Sequence, residues 1–84
     1  MYEVLFADVA RKQLGKLEKS EQKRIISAIE RIRIRPYDFV KRLVGEPYFR
    51  LRVGDYRVIL DIKNDVMTIM VLYVGHRKNV YDRL

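Results

Sequence analysis

The sequence contains no cysteine, a single histidine and no long apolar run. The lack of cysteine excludes disulfide bonds and thiolate metal sites, and one histidine with scattered carboxylates gives no metal-ligand spacing. No run approaches the roughly 18 apolar residues of a membrane span. The start of the chain carries Glu3 and lacks the basic segment of a signal peptide, so it is expected to be mature protein. A reducing cytoplasm is compatible with this composition, and we expect no cofactor, no metal and no membrane contact.

The composition is that of one soluble domain with an excess of positive charge. The 84 residues are 49% hydrophobic and 35% charged, and 18 Lys and Arg against 11 Asp and Glu give a net charge of +7. We expect one domain over residues 1–84. The excess is spread over both halves of the chain, and it favours a nucleic-acid partner. Charged, solvated helix faces nevertheless explain most of the lysines, including Lys12, Lys16, Lys19 and Lys23.

The first half of the chain predicts a strand and a helical hairpin. The strand is predicted over Tyr2–Phe6, and Asp8 and Ser20 are typical N-cap residues that would each begin a helix. Apolar residues recur at helical spacing in both helices: Ala10, Leu14 and Leu17, then Ile25, Ile29 and Ile32. Pro36 ends the second helix. These apolar stripes are expected to cover a sheet.

The second half predicts three further strands joined by short turns. They are Tyr48–Val53, Tyr56–Lys63 and Val66–Val74, connected by Gly54-Asp55 and Asn64-Asp65. Turn-prone pairs between apolar runs are typical of antiparallel hairpins. An edge segment is also possible over Val40–Val44, and the last strand is apolar on both faces, as interior strands are. The prediction is an α+β fold in the order β-α-α-β-β-β, with a short C-terminal tail or helix.

Alternation within the predicted hairpin sorts its side chains onto two faces. Residues 49, 51 and 53 are apolar, whereas Arg50 and Arg52 alternate with them and are expected to occupy the opposite, open face with Arg57. Guanidinium groups in a row suit the phosphates of a nucleic acid. Alternatively, these arginines could pair with aspartates of the hairpins. The remaining large side chains assigned to the core are Tyr2, Phe6, Phe39, Phe49, Tyr73, Met67 and Met70.

Two segments together resemble the toxins of the RelE/ParE superfamily, and most closely the RelE-like messenger RNA interferases. They are LVGEPYFRLRVGDYRVIL at 43–60 and VGHRKNVYDRL at 74–84. In that family a leucine-x-glycine precedes an R-x-R-x-G-x-Y-R hairpin, and a G-H-R segment closes the sheet. The resemblance implies a small cytoplasmic toxin of a toxin–antitoxin system. It also implies an acidic, partly disordered, RelB-like antitoxin, and cleavage of messenger RNA in the ribosomal A site.

The resemblance also implies a metal-independent endoribonuclease. In this chemistry the 2′-hydroxyl attacks the neighbouring phosphodiester, so a base, an acid and donors to the phosphorane are needed. Arg57 and Arg77 match phosphate-binding positions of RelE-like nucleases, and Arg50 matches a frequently basic one. His76 and Tyr81 are the candidates for proton transfer, although Tyr81 could instead stack on a displaced base.

Further contacts with RNA are expected from Arg52, Lys78 and Tyr48. Tyr48 stands where some relatives carry a lysine, and this departure leaves the general base open. Glu46 and Asp38 are possible substitutes, although each is also a plausible solvated loop acid.

Two other functions remain compatible with the sequence. One is a ParE-like toxin that disables a gyrase without cutting RNA. Such relatives tend to lack the site arginines and the terminal tyrosine that this chain retains. The other is a nonenzymatic RNA-binding protein that uses the same basic sheet. A product ending in a 2′,3′-cyclic phosphate would distinguish the nuclease from both.

Overall fold

A computed structural model describes residues 1–76, which form two helices packed on one face of a five-stranded sheet. The elements are β1 (Glu3–Phe6), α1 (Asp8–Gly15), α2 (Lys19–Arg31), β2 (Val40–Arg42), β3 (Phe49–Val53), β4 (Tyr56–Lys63) and β5 (Thr68–His76). The strands lie in the order β1-β5-β4-β3-β2; β1 is parallel to β5, and the other pairs are antiparallel. The α+β prediction and the interior position of the last strand are confirmed. The predicted C-terminal tail lies outside the described residues.

The core lies between the helices and the sheet, as the apolar spacing predicts. Four residues of the predicted helix stripes are essentially inaccessible to solvent: Ala10 of α1, Ile25 and Ile29 of α2, and Ile32 directly after α2. They pack with inward-facing residues of the strands, among them Leu60 at the centre of β4. Each fully buried isoleucine stabilises the fold by about 1.5–3 kcal/mol. The predicted helix stripes are thus the main anchors of both helices.

The helices begin slightly earlier than the predicted caps. Asp8 is the first residue of α1 rather than its N-cap, and Ser20 lies inside α2, whose N-cap is Glu18. Neither N-cap residue makes a side-chain capping bond. The carbonyl oxygen of Glu18 instead accepts the backbone bond from Gln22 at 2.9 Å, which sets the start of α2. Asp8 still lies in the first turn, where a carboxylate interacts favourably with the helix dipole.

The two predicted hairpin turns have different outcomes. Gly54-Asp55 forms the expected two-residue turn, and Gly54 adopts a φ of 59°, which favours glycine. The second connection is longer than Asn64-Asp65, because Asn64–Val66 forms a 3₁₀ turn and Met67 has a φ of 49°. Consequently β5 begins at Thr68 rather than at residue 66, and it extends to residue 76.

Two residues assigned to the core are exposed instead. Met67 is 45% exposed because it lies in the connection before β5 rather than within the strand. Phe39 is 48% exposed. It is the C-cap of the 3₁₀ turn Pro36–Asp38 and has a helical backbone, so it lies before the edge strand β2 rather than in a strand that faces the core. Tyr2 is buried, as predicted, and its hydroxyl donates a 2.8 Å hydrogen bond to Asn64 Oδ1.

No helix among residues 1–76 is long and apolar enough to cross a membrane.

Candidate functional site

The β3–β4 hairpin places three arginines on the side of the sheet that faces away from the helices. Leu51 and Val58 are buried against the helices. Because side chains alternate along each strand, Arg50, Arg52 and Arg57 lie on the other side, here called the arginine face. Arg52 and Arg57 are directly opposed in the register of the two strands. The predicted sharing of one face by these arginines is confirmed.

The arginine face is not uniformly open, because its arginines differ in burial. Arg57 is 8% exposed, Arg50 is half-buried and Arg52 is exposed. Nη1 of Arg57 makes a long hydrogen bond of 3.5 Å to the carbonyl oxygen of Tyr56, and its Nε finds no hydrogen-bond partner in the described part of the chain. A buried donor without an acceptor costs about 1–3 kcal/mol, and more when the group is charged. A bound anion could supply the missing acceptor.

Aspartates of the hairpins do not neutralise the two opposed arginines. Asp61 Oδ2 lies 3.4 Å from Lys63 Nζ. Over residues 1–76, neither Arg52 nor Arg57 makes an ion pair with a carboxylate. The alternative in which these arginines serve cross-strand pairing is therefore not observed for them. Within residues 1–76, no carboxylate offsets their charge.

The strand register places Lys41 and Tyr73 on the arginine face, on either side of Arg50. Lys41 of β2 lies opposite Arg50, and Tyr73 of β5 lies opposite Ile59, the residue that also pairs with Arg50. Tyr73 is therefore half-buried on the arginine face rather than part of the core beneath the helices. Alternation within β2 could have placed Lys41 here. The position of Tyr73 depends on a register irregularity between β4 and β5, which sequence patterns do not reveal.

His76 lies on the opposite side of the sheet from Arg57. Its register partner is Tyr56, and the two rings meet edge to face with centroids 5.7 Å apart. Tyr56 packs against the core beneath the helices, whereas Arg57 pairs with Gly75. Directly opposed residues of an antiparallel pair share a face, so the structure does not bring His76 together with the three arginines. Its role in proton transfer stays a prediction.

The other predicted site residues that the structure describes lie in the segments on either side of β2. Tyr48 is half-buried and directly precedes β3, where alternation places it on the side of Arg50. The two substitute bases, Glu46 and Asp38, are exposed in the segments that flank β2. Arg77, Lys78 and Tyr81 lie outside the described residues. Within the described range, no three side chains of the metal-ligating types come together.

Residues 4–81 match the family described as the ParE toxin of the type II toxin–antitoxin system parDE. A 44-residue stretch is 41% identical to Toxin RelE3 of Methanocaldococcus jannaschii. That match covers 51% of this chain and 48% of the relative, so the chain spans about half the length of the curated relative it matches.

Solved structures resemble the chain over nearly its whole length. A chain of the RelBE2 toxin–antitoxin complex from Mycobacterium tuberculosis superposes with a TM-score of 0.83 at 30% identity, covering 90% of this chain and 98% of that one. A chain of the archaeal RelE-RelB complex from Pyrococcus horikoshii gives 0.79 at 27% identity, covering 94% and 98%. Helices and sheet are therefore arranged alike in all three proteins.

Proposed function

The chain belongs to the ParE toxin family of type II toxin–antitoxin systems, within the RelE/ParE superfamily, and we propose that it is a RelE-like toxin that cuts messenger RNA. On this proposal it acts in the cytoplasm as an endoribonuclease, in the A site of the ribosome. The observation that carries the proposal is Arg57, a buried arginine whose Nε lacks a hydrogen-bond partner in the described structure, on a face that also holds Arg50 and Arg52.

The proposed reaction is attack of a 2′-hydroxyl on the adjacent phosphorus, with release of the 5′-oxygen of the next nucleotide. The products are a 2′,3′-cyclic phosphate and a free 5′-hydroxyl. Negative charge grows on the phosphorane oxygens, and a donor already aimed at them lowers the barrier. Arg57 suits this role because it is buried and its Nε has no hydrogen-bond partner in the described structure, and because the guanidinium is a cationic, bidentate donor to phosphate oxygens.

The other steps are assigned to residues whose roles remain predictions. Arg50 would hold a second phosphate oxygen, and Arg77 would share the charge of the phosphorane. Tyr81 would protonate the leaving oxygen, because His76 lies across the sheet from Arg57, and the general base is left open. Arg52, Tyr48 and Lys78 would contact the flanking RNA. No step requires a metal ion or another cofactor.

The proposed protein partner is a RelB-like antitoxin, since the structures that the chain resembles are named as toxin–antitoxin complexes. An acidic, partly disordered segment that folds on contact would be attracted by the net charge of +7. Exposed apolar side chains offer it anchoring points; they include Val9, Ile34, Val44 and Val66.

The proposal is tested by single-turnover cleavage on ribosomes programmed with a defined messenger. We expect products that end in a 2′,3′-cyclic phosphate, and an Arg57→Ala variant slowed by about 10²–10³-fold. The matched control is Arg35→Ala, an exposed arginine that lies outside the strands of the arginine face, which should cleave normally. Absence of cleavage by the wild-type chain, combined with inhibition of a gyrase, would replace the proposal with the ParE-like function.

A further inference from the structure

A second cationic feature lies beside the hairpin, between helix α2 and the edge of β3. It is a groove with a volume of about 460 Å³. Its charged and polar lining consists of Lys23, Arg24, Ser27 and Arg31 from α2, together with Arg52 from β3. Lys23, Ser27 and Arg31 are spaced four residues apart, which places them along one side of the helix. Among residues 1–76, four cations and no carboxylate therefore line this groove.

The groove adjoins a stretch of the β3 edge with which β2 does not pair. β2 pairs with β3 only over Phe49–Leu51, so Arg52 lies beyond its end. Val53 and Tyr56 flank the two-residue turn, a position that a hydrogen-bonded pair occupies in such hairpins. Hydrogen-bonded and non-hydrogen-bonded pairs alternate along an antiparallel ladder, so the next pair, Arg52 and Arg57, is not hydrogen-bonded through the backbone. The backbone N–H of Arg52 consequently points away from β4, toward the open edge. A backbone donor thus accompanies the cationic side chains.

One cation of the groove is seated on the hairpin turn. A Cβ at Gly54 would lie only 2.7 Å from Arg24 Nη2, so the guanidinium packs where glycine leaves space. Nη1 of Arg24 lies 3.9 Å from Glu21 Oε1, at the outer limit of an ion pair. Lys23, Arg31 and Arg52 make no ion pair within the described residues. Most of the positive charge in the groove is therefore uncompensated.

We propose that this groove binds the phosphate backbone of a single RNA strand, as a second site that continues from the arginine face. Arg52 connects the two, because it lies opposite Arg57 in the hairpin and also lines the groove. A strand crossing the β3 edge at Arg52 would leave the proposed cleavage site and enter the groove beside α2. This inference rests on the proposed function for the identity of the polymer as RNA.

The lining favours a phosphate backbone over a peptide. Among the described lining residues, only Ala28 and Val53 have purely apolar side chains larger than a hydrogen atom, so the groove offers few of the large apolar pockets that anchor a folding protein segment. Arginine and lysine beside a backbone N–H are instead typical of contacts to phosphate oxygens, which need no apolar anchors. The exposed apolar residues that could hold a protein partner, such as Val9 and Val66, do not line it.

The test measures binding of the full chain to a 2′-O-methyl oligouridylate, whose blocked 2′-oxygens prevent cleavage. The variant is the double substitution Lys23→Gln with Arg31→Gln. The control is Lys12→Gln with Arg35→Gln, which removes the same charge from exposed positions that do not line the groove. We expect the groove variant to bind about tenfold more weakly at 0.1 M salt. Its salt slope should fall by about 1.4, since each phosphate contact to a single strand contributes about 0.7.

The control pair should change the affinity by no more than about twofold. Equal losses in both double variants would overturn the proposal, because they would show that net charge alone attracts RNA. A groove variant that keeps its RNA affinity but loses its antitoxin would also overturn it and would assign the groove to the protein partner. Binding is measured without cleavage, so a chain that binds through the groove but never cuts RNA would contradict the proposed function only.

Discussion

Arg52 and Arg57 face each other directly across the β3–β4 hairpin, yet Arg52 is exposed and Arg57 is only 8% exposed. Like charges in directly opposed positions destabilise a sheet, and burial of one of them adds a desolvation cost. Neither arginine is compensated by a carboxylate among residues 1–76. The hairpin thus retains an electrostatic repulsion that a phosphate group between the two guanidiniums would remove.

The first prediction separates stability from function at Arg57. Replacement by methionine removes a buried donor that lacks an acceptor while keeping a long apolar side chain. We expect Arg57→Met to raise the free energy of unfolding by about 1 kcal/mol and, like Arg57→Ala, to slow cleavage by about 10²–10³-fold. Urea unfolding measures the first effect and the ribosome assay the second. A loss of stability larger than 1 kcal/mol would mean that the guanidinium itself helps to hold the fold.

The sequence predicts this hairpin well because the features that determine it lie within a few neighbouring residues. Alternation at period two and a two-residue turn at Gly54-Asp55 are sufficient to bring Arg52 and Arg57 onto one face. The faces of Tyr73 and His76 depend instead on the β4–β5 register, which contains an irregularity. Register between strands is set by packing over the whole sheet, so local patterns could neither move Tyr73 out of the core nor separate His76 from the arginines.

The second prediction concerns Asn64, whose Oδ1 accepts hydrogen bonds from two tyrosines. The Tyr2 hydroxyl donates at 2.8 Å and the Tyr37 hydroxyl at 2.9 Å. Tyr2 is buried, so loss of its acceptor should be costly, whereas Tyr37 is exposed and can turn to water. We expect Asn64→Ala to destabilise the fold by about 1–3 kcal/mol and Tyr37→Phe by less than about 0.5 kcal/mol. Thermal unfolding of both variants checks this, and equal effects would contradict it.

The third prediction concerns Gln13, which completes the hydrogen bonding of β5. β1 pairs with β5 only as far as Val71, and Gln13 Oε1 accepts a 2.7 Å bond from the backbone N–H of buried Val74. Gln13→Leu leaves this donor without an acceptor, so we expect a loss of about 1–3 kcal/mol. The neighbouring exposed Lys12→Leu serves as the control and should change stability little. Faster amide exchange at Val74 in the Gln13 variant alone would localise the effect.

The fourth prediction compares two arginines of equal charge and different proposed roles. Arg77 is assigned to the phosphorane through the family resemblance, whereas Arg52 is exposed and lines the groove beside α2. Loss of a donor to the phosphorane costs about 10²–10³ in rate, but loss of a ground-state phosphate contact mainly weakens binding. We therefore expect Arg77→Ala to abolish toxicity in cells and to lower single-turnover cleavage by that factor, while antitoxin binding persists.

In contrast, Arg52→Ala should weaken binding to the ribosome and lessen its salt dependence, with a smaller effect on the cleavage rate at saturation. The measurements are the rate constant at saturating ribosomes and the dissociation constant at several salt concentrations, taken for both variants. Equal and small losses of both variants in rate and affinity would show that the number of positive charges matters more than where each arginine lies. The sheet would then bind RNA through diffuse attraction, and the nonenzymatic RNA-binding function would be the better description of this chain.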